Sequence, residues 1–448
     1  MSATILSQPR PMMAAMPPQR RFLAAGALVL LGVAIYFAFV APIRQVDLDV
    51  FLRAGQAVLH GHDPYSSTHS ETIRTNAAFV YPLAVAWWFA PLSAIGSASH
   101  LIYAIASLLA IGLACWWARP GQPLIAALVL LSSAAVIGLQ DGSVNPWLLL
   151  GLIAAWRWRD RPIVTGLLVA ALIICKLFLW PVLGWLLLSR RYRATATAAV
   201  VTGVVLVAGF TFGPLRTGAY ASMLHVLSGL EAPHAAGLSG LLIHWHASLA
   251  LATVIATAIG MLLLGAAGYQ YRRRPAGSGR EVLVFGAAVV AALFASPIVW
   301  HHYYLLLAAP LLLATRSVWP FVVLSLASWA AAAPHPTTQV HTAIGYVLGL
   351  GGIAVIAAVA ALRAWRQPSS ADRALARAYT AVRAGRPVAV VAALAVLVIV
   401  GVSALENVSV GGGWGALVTV VETACVLAYV WSRRADGAQV ERGLVRSN

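Results

Sequence analysis

Apolar runs recur from residue 22 almost to the end of this chain, and short polar joints separate them. The first run, residues 22–41, is about 20 residues long, enough to cross a bilayer. It has neither the short apolar core nor the small-residue cleavage site of a leader. It therefore reads as an uncleaved first helix with its N-terminus inside. The longest polar stretch follows, residues 42–77. After it the joints are of two kinds. RWRDRP (157–162), SRRYR (189–193), RRRPAGSGR (272–280), Arg316, the segment 363–386 and the tail from Arg433 are rich in arginine. QDGSVN (140–145), residues 215–240, the region of Trp300, PHPTTQVH (334–341) and ENVSVGGG (406–413) are polar but poor in it.

The two kinds must alternate across the membrane, because basic joints favour the cytoplasmic side. They do so if the run 81–96 is not itself a span. If it crossed, the arginine-rich joints after it would fall outside. The pattern thus predicts an interfacial or re-entrant helix over 81–96, and Trp87 and Trp88 suit that depth. Within the polar stretch, the apolar spacing from Val50 to Leu59 predicts a short amphipathic helix, ended by HGHDPY. The class that follows is an all-α polytopic membrane protein of about 13 transmembrane helices with outer juxtamembrane helices. No internal repeat is visible.

Composition agrees and adds one detail. The chain has 448 residues, 61% hydrophobic and 10% charged, which excludes a soluble globular enzyme. Of its 30 basic residues the topology places 25 inside, so the net charge of +17 is a topology signal and not a nucleic-acid footprint. All twelve histidines fall on or near the outer side. The detail is that 29 of the 30 basic residues are arginine, and Lys176 is the only lysine. It ends an apolar run, IICKLFLWP, where an ammonium requires an anion, carbonyls or water; snorkelling to the interface is the bland alternative. A phosphate is a natural anion there.

Candidate chemistry gathers on the outer side. Asp47 stands a few residues after the first span, placed to act on a lipid-borne group. Asp49 directly precedes the apolar run and fits a helix N-cap. His60, His62 and Asp63 read as a turn rather than a metal cluster. Asp141 lies near membrane depth, either in a functional role or in a capped turn made by Asp, Gly and Asn-Pro. His301 and His302 sit at a helix boundary among Trp300, Tyr303 and Tyr304; adjacent side chains diverge, so one of the two serves any single site. His244 and His246 are weaker candidates of the same kind. Glu422, within the last span, has no assigned role. Cys115, Cys175 and Cys425 lie singly in apolar runs, arguing against disulfides and zinc. No Walker A, GxGxxG, HExxH or GxSxG motif is present. An outward carboxylate and an outward lysine over an apolar bundle point to group transfer from a lipid-phosphate donor.

Five blocks in order, DLDVFLRAGQAVLHGHDPY (47–65), FVYPLAVAWWFAPL (79–92), QDGSVNPWLLLG (140–151), KLFLWPVLGWLLL (176–188) and SPIVWHHYYLLLAAPLL (296–312), resemble glycosyltransferase family 87 of the GT-C superfamily. The resemblance covers 47–312. It implies a GT-C-like bundle with a large outer loop carrying membrane-parallel helices. It further implies an inverting, polyprenyl-phosphate-sugar-dependent transferase, most often of mannose, acting on a lipid or glycan acceptor on the outer face of the plasma membrane. The first-loop aspartate maps to Asp47 as base, with Asp49 at a variable position. The lysine maps to Lys176, and the histidine to His301 or His302. Arg53, Tyr81, Gln140, Asp141 and Asn145 complete the expected donor site. YPL and QDGSVN depart from the commoner YPP and GQ-x-N, and the second departure puts in doubt that Asp141 is a functional residue shared with the family. No metal or other cofactor is required where protein cations hold the phosphate, and no nucleic acid is implied.

The organisation expected is a cytoplasmic tail 1–21, a catalytic transmembrane region 22–364 with outer loop 42–98, a basic cytoplasmic loop 365–387, a transmembrane hairpin 388–432 and a cytoplasmic tail 433–448. Rival readings are a transporter or flippase of a lipid-linked sugar, an envelope scaffold and, within the same family, an arabinofuranosyltransferase.

Overall fold

A computed structural model describes residues 18–65, 73, 78–273 and 278–318, with 320–322, 324, 325, 328, 422–424 and 426. The basic loop 365–387, nearly all of the hairpin 388–432, Cys425 and the C-terminal tail lie outside the described residues.

Among the described residues the fold is all-helical. Helix α1 (Pro18–Ile35) runs into a wider-wound turn, Tyr36–Val40. Helices α2 (Val46–Leu59) and α3 (Leu83–Ser93) form the outer-loop pair. Then come α4 (Ser99–Ala118), α5 (Pro123–Leu130), α6 (Ser133–Gln140), α7 (Asn145–Arg157) and α8 (Pro162–Cys175). Next are α9 (Val182–Leu188), α10 (Tyr192–Phe212), α11 (Thr217–Glu231), α12 (Leu238–His244), α13 (Leu249–Arg272) and α14 (Ser278–Ala295). A 3₁₀ segment, His301–Leu307, continues into α15 (Ala308–Ala314).

Three helical stretches, Gly96–Ala118, Tyr192–Phe212 and Leu249–Arg272, are long and apolar enough to cross a membrane alone. The pairs α5–α6, bent by 57°, and α11–α12, bent by 71°, raise the number to five if each is one crossing. The expected total of about 13 is not reached among the described residues. The runs after residue 328 lie almost wholly outside the described residues, and several described runs are helices shorter than a bilayer is thick.

Helix α3 has 11 residues, about 16 Å at 1.5 Å per residue, far short of a 30 Å hydrocarbon layer. It does not cross, as the alternation of joints required. It packs instead on α2. Phe51 stacks on Phe89 with ring centroids 4.5 Å apart. Gln56 donates from Nε2 to the Ser93 carbonyl at 2.6 Å. Gly55 lies so close to α3 that a Cβ there would stand 3.0 Å from the Phe89 and Ala90 backbone. Trp87 and Trp88 point outward, 53% and 47% exposed.

Helix α8 separates two charged ends of the bundle. Beside its N-terminus, Arg191 holds Glu281 through two hydrogen bonds, 2.7 and 3.1 Å, and pairs with Asp160 at 3.1 Å. Arg159 approaches Glu281 at 3.6 Å and stacks on the Trp156 ring. Three of the arginine-rich joints therefore meet at one end. The C-terminus of α8 runs into Lys176, about 21 Å away along its 14 residues, where the arginine-poor joints meet.

Candidate functional site

The site begins with how α2 is started. Its N-cap, Gln45, makes no side-chain cap bond. The first amides of a helix need partners from elsewhere, and here the Asp141 backbone carbonyl accepts from the N–H of Asp47 at 2.8 Å and of Leu48 at 3.3 Å. The α6–α7 turn can come this close because Gly142 has φ +68° and no Cβ; one built there would fall 2.6 Å from the Leu48 Cβ and 2.9 Å from the Gln45 Cβ. QDGSVN is thus both a capped turn and a wall of the site.

This placement corrects the reading of Asp49. Helix α2 begins earlier than the apolar spacing from Val50 suggests, so Asp49 lies inside the first turn and is not the cap. Its carboxylate pairs with Arg44 at 2.6 Å and with His100 of α4 at 2.9 Å. Partial burial works against its charge, but these hydrogen bonds outweigh that and hold the carboxyl below its ordinary value.

Asp47 faces a different neighbourhood. Its side chain is 26% exposed, and Oδ2 lies 4.0 Å from Nε2 of His302. His302 is buried, and its Nδ1 lies 3.2 Å from Oδ2 of Asp141. Burial pushes the Asp47 carboxyl above its ordinary value; the neighbouring His302 ring and Lys176 ammonium pull it back, and the Asp141 carboxylate pushes the same way as burial.

Lys176 leaves the end of α8 in extended backbone and turns inward. Its ammonium donates to the Tyr303 hydroxyl at 2.6 Å and the Tyr81 hydroxyl at 3.1 Å. It lies 4.3 and 5.0 Å from the centroids of the same two rings, within cation–π range. No carboxylate stands within 4.0 Å of it among the described residues. Phe178 stacks on Tyr303, with rings 5.3 Å apart and 9° from parallel. Phe51 packs on Tyr81 at 4.7 Å. The Tyr65 and Tyr220 hydroxyls donate to the Tyr81 and Val80 carbonyls. The ammonium is therefore fixed by two phenols that are themselves fixed.

The structure brings Asp47, Tyr81, Asp141, Lys176 and His302 together. It selects His302 over His301, because successive residues of a 3₁₀ turn diverge by about 120°; His301 is half-buried. Gln140 is buried and donates to the Phe39 carbonyl at 2.9 Å. Asn145 opens α7 fully buried, with no hydrogen-bond partner for its side-chain amide among the described residues. Arg53 lies on the exposed surface of α2, six residues and about 120° round the helix from Asp47. His60 and Asp63 bond within their own turn. Cys115 and Cys175 are free thiols. Among the described residues no group of three or more His, Cys, Asp or Glu is arranged to hold a metal ion.

Two site residues escaped the sequence reading. Tyr303 was indistinguishable from an interfacial anchor. Tyr103, near the start of an apolar helix, donates to the Ser143 carbonyl at 3.0 Å and ties α4 to the α6–α7 turn. Its only signal was a polar tip within an otherwise apolar stretch.

The family model of glycosyltransferase family 87 matches residues 79–297. The match contains Tyr81, Asp141 and Lys176; Asp47 and His302 flank it on either side. No curated protein and no solved structure matches the chain. With its five ordered blocks, its helical membrane architecture and this match, the chain is similar over residues 79–297 to glycosyltransferase family 87.

Proposed function

We propose that this membrane glycosyltransferase moves mannose from a polyprenyl-phosphate donor to a hydroxyl of a lipid or glycan acceptor, at the outer face of the plasma membrane and with inversion. The observation that carries the reading is the buried Lys176 ammonium, held by two phenol oxygens with no carboxylate within 4.0 Å among the described residues, in the same site as Asp47. A desolvated cation of this kind favours an anion that comes and goes, and a phosphodiester is one.

Asp47 takes the proton of the acceptor hydroxyl as its oxygen attacks the anomeric carbon. The bond from that carbon to the phosphate oxygen breaks with its electron pair staying on the phosphate. Lys176 stabilises the charge that develops there, already oriented before the donor arrives. Attack opposite the leaving group turns a β-linked donor into an α-mannoside. The chemistry calls for no metal or other cofactor, since the cation is supplied by the chain.

The test is incubation of the purified protein in detergent with polyprenyl-phosphate mannose and candidate glycolipid acceptors, followed by mass analysis. A mannosylated acceptor formed without any membrane gradient is the expected result. Donor consumed in no condition overturns the reading. Transfer from polyprenyl-phosphate arabinose alone would move the activity to the arabinofuranosyl branch.

A further inference from the structure

A base that takes up a proton in every turnover must also lose it. Around Asp47 the polar neighbours are Lys176, Tyr81 and Tyr103, together with Asp141 and His302. At neutral pH an ammonium has no room for a proton, and a phenol accepts none. The Asp141 carboxylate is already engaged by Nδ1 of His302, which leaves the imidazole. The His302 side chain is 5% exposed, and its Nε2 faces Asp47 across 4.0 Å with no hydrogen-bond partner among the described residues. Its Nδ1 meets the Asp141 carboxylate, which only accepts, so this contact requires the proton on Nδ1 and leaves the lone pair on Nε2. The Tyr303 ring packs edge-on against the imidazole at 4.9 Å, and the Tyr303 hydroxyl holds Lys176. The imidazole thus borders both the carboxylate and the phenol that holds the cation.

We propose that His302 carries the proton from Asp47 to the departing phosphate, and that Asp141 is the positioning residue that sets the tautomer allowing it. The proposal rests on the reading of Asp47 as the base. In the first step the acceptor O–H bond breaks and its proton joins Asp47. That new O–H bond then breaks as an N–H bond forms at Nε2 of His302, giving an imidazolium paired with the Asp141 carboxylate. The Nε2–H bond finally breaks toward an oxygen of the polyprenyl phosphate, which leaves as the monoanion. Asp47, His302 and Asp141 return to their starting protonation states, and no outside acid or base is consumed. The gap of 4.0 Å closes when the substrates fill the site, as such contacts commonly do.

Asp141→Asn and Asp141→Ala distinguish this role from a merely structural one. The asparagine is nearly isosteric and would be the milder change if Asp141 only packed. As a tautomer setter it is the harsher one, because its amide N–H donates to Nδ1 and turns a proton on Nε2 toward Asp47. The expected result, with polyprenyl-phosphate mannose as donor, is a kcat about 100-fold below wild type for Asp141→Asn and about tenfold for Asp141→Ala, with KM for the donor unchanged. Asp141→Glu restores most of the rate, and its comparison with Asp141→Ala serves equally if the asparagine variant does not fold. Asp141→Asn as active as wild type, or more active than Asp141→Ala, overturns the assignment while leaving Asp47 as the base. A wild type that transfers no sugar to any acceptor overturns the functional reading itself.

Discussion

The Lys176 ammonium lies 2.6 Å from the Tyr303 hydroxyl, and Phe178, two residues after Lys176, stacks flat on the same ring. The short segment that leaves α8 thus supplies both the cation and a platform for its partner. The stack holds the Tyr303 ring, and two hydrogen bonds and two ring faces hold the cation, so its direction is set before any ligand arrives.

Lys176→Met removes the cation and keeps the length of the side chain. Transfer should fall by about 10²–10³ in kcat/KM, the size of losing one oriented charge at a developing anion, and donor affinity should fall with it. Lys176→Arg should rescue poorly, because a planar guanidinium does not occupy the point between two phenol oxygens. Titration of the purified variants with a fluorescent polyprenyl phosphate reads this directly. Unchanged affinity in the methionine variant would mean that the lysine only snorkels.

Asp47→Asn separates function from stability. Transfer should drop by about 10²–10⁴ while donor binding persists. Burial raises the Asp47 carboxyl above its ordinary 3.8, so its ionised form costs stability in the folded state. The contribution of the protonated form is fully present below the unfolded value and is lost as pH rises through the raised folded value. The variant should therefore melt higher than wild type at neutral pH, and the difference should vanish below about pH 4. For the same reason the acidic limb of the wild-type rate profile should lie above that of an ordinary carboxylate. Melting curves that coincide at every pH would contradict this.

Gly142→Ala tests the joint between the α6–α7 turn and α2. The substitution strains a left-handed backbone and drives a methyl group into the Leu48 side chain, at a cost of about 1–3 kcal/mol. Because the Asp141 carbonyl caps the amides of Asp47 and Leu48, activity should fall more than the melting temperature suggests. Loss of stability with full activity in the remaining folded protein would show that the cap does not position Asp47.

Glu281→Gln tests the opposite end. It leaves Arg191 and Arg159 facing each other without their shared carboxylate, which should destabilise by about 3 kcal/mol in thermal unfolding. Donor affinity per folded molecule should be unchanged, because α8 separates this clamp from Lys176. A selective loss of donor binding would show that the two ends are coupled.

Much of this arrangement was legible in the chain. A single lysine among arginines stood out because composition alone would have made it arginine, and the alternation of joints forbade a crossing at 81–96 before the shortness of α3 was known. What was hidden depended on geometry that no local pattern encodes. Which of His301 and His302 enters the site follows from the phase of a 3₁₀ turn set by its packing on α6 and α7. Tyr303 has the same signature as any aromatic at a membrane boundary. Asp49 fits a cap by its neighbours in sequence, whereas Arg44 and His100 claim its carboxylate in space. The span total failed to emerge partly for a related reason: hydropathy counts apolar residues, and a break such as that between α5 and α6 is made by one turn of backbone.

The outward indoles of Trp87 and Trp88 have a further consequence. Indole prefers the boundary between headgroups and hydrocarbon, and α3, which carries both, is locked to α2 through Gly55 and the Phe51–Phe89 stack. The pair behaves as a float whose waterline fixes the depth of Asp47. On the proposed function, an acceptor would then be chosen partly by how far its hydroxyl stands above the acyl chains, which would favour a headgroup held at that height over a sugar free in solution. Bilayer thickness becomes a specificity element, one that detergent micelles erase.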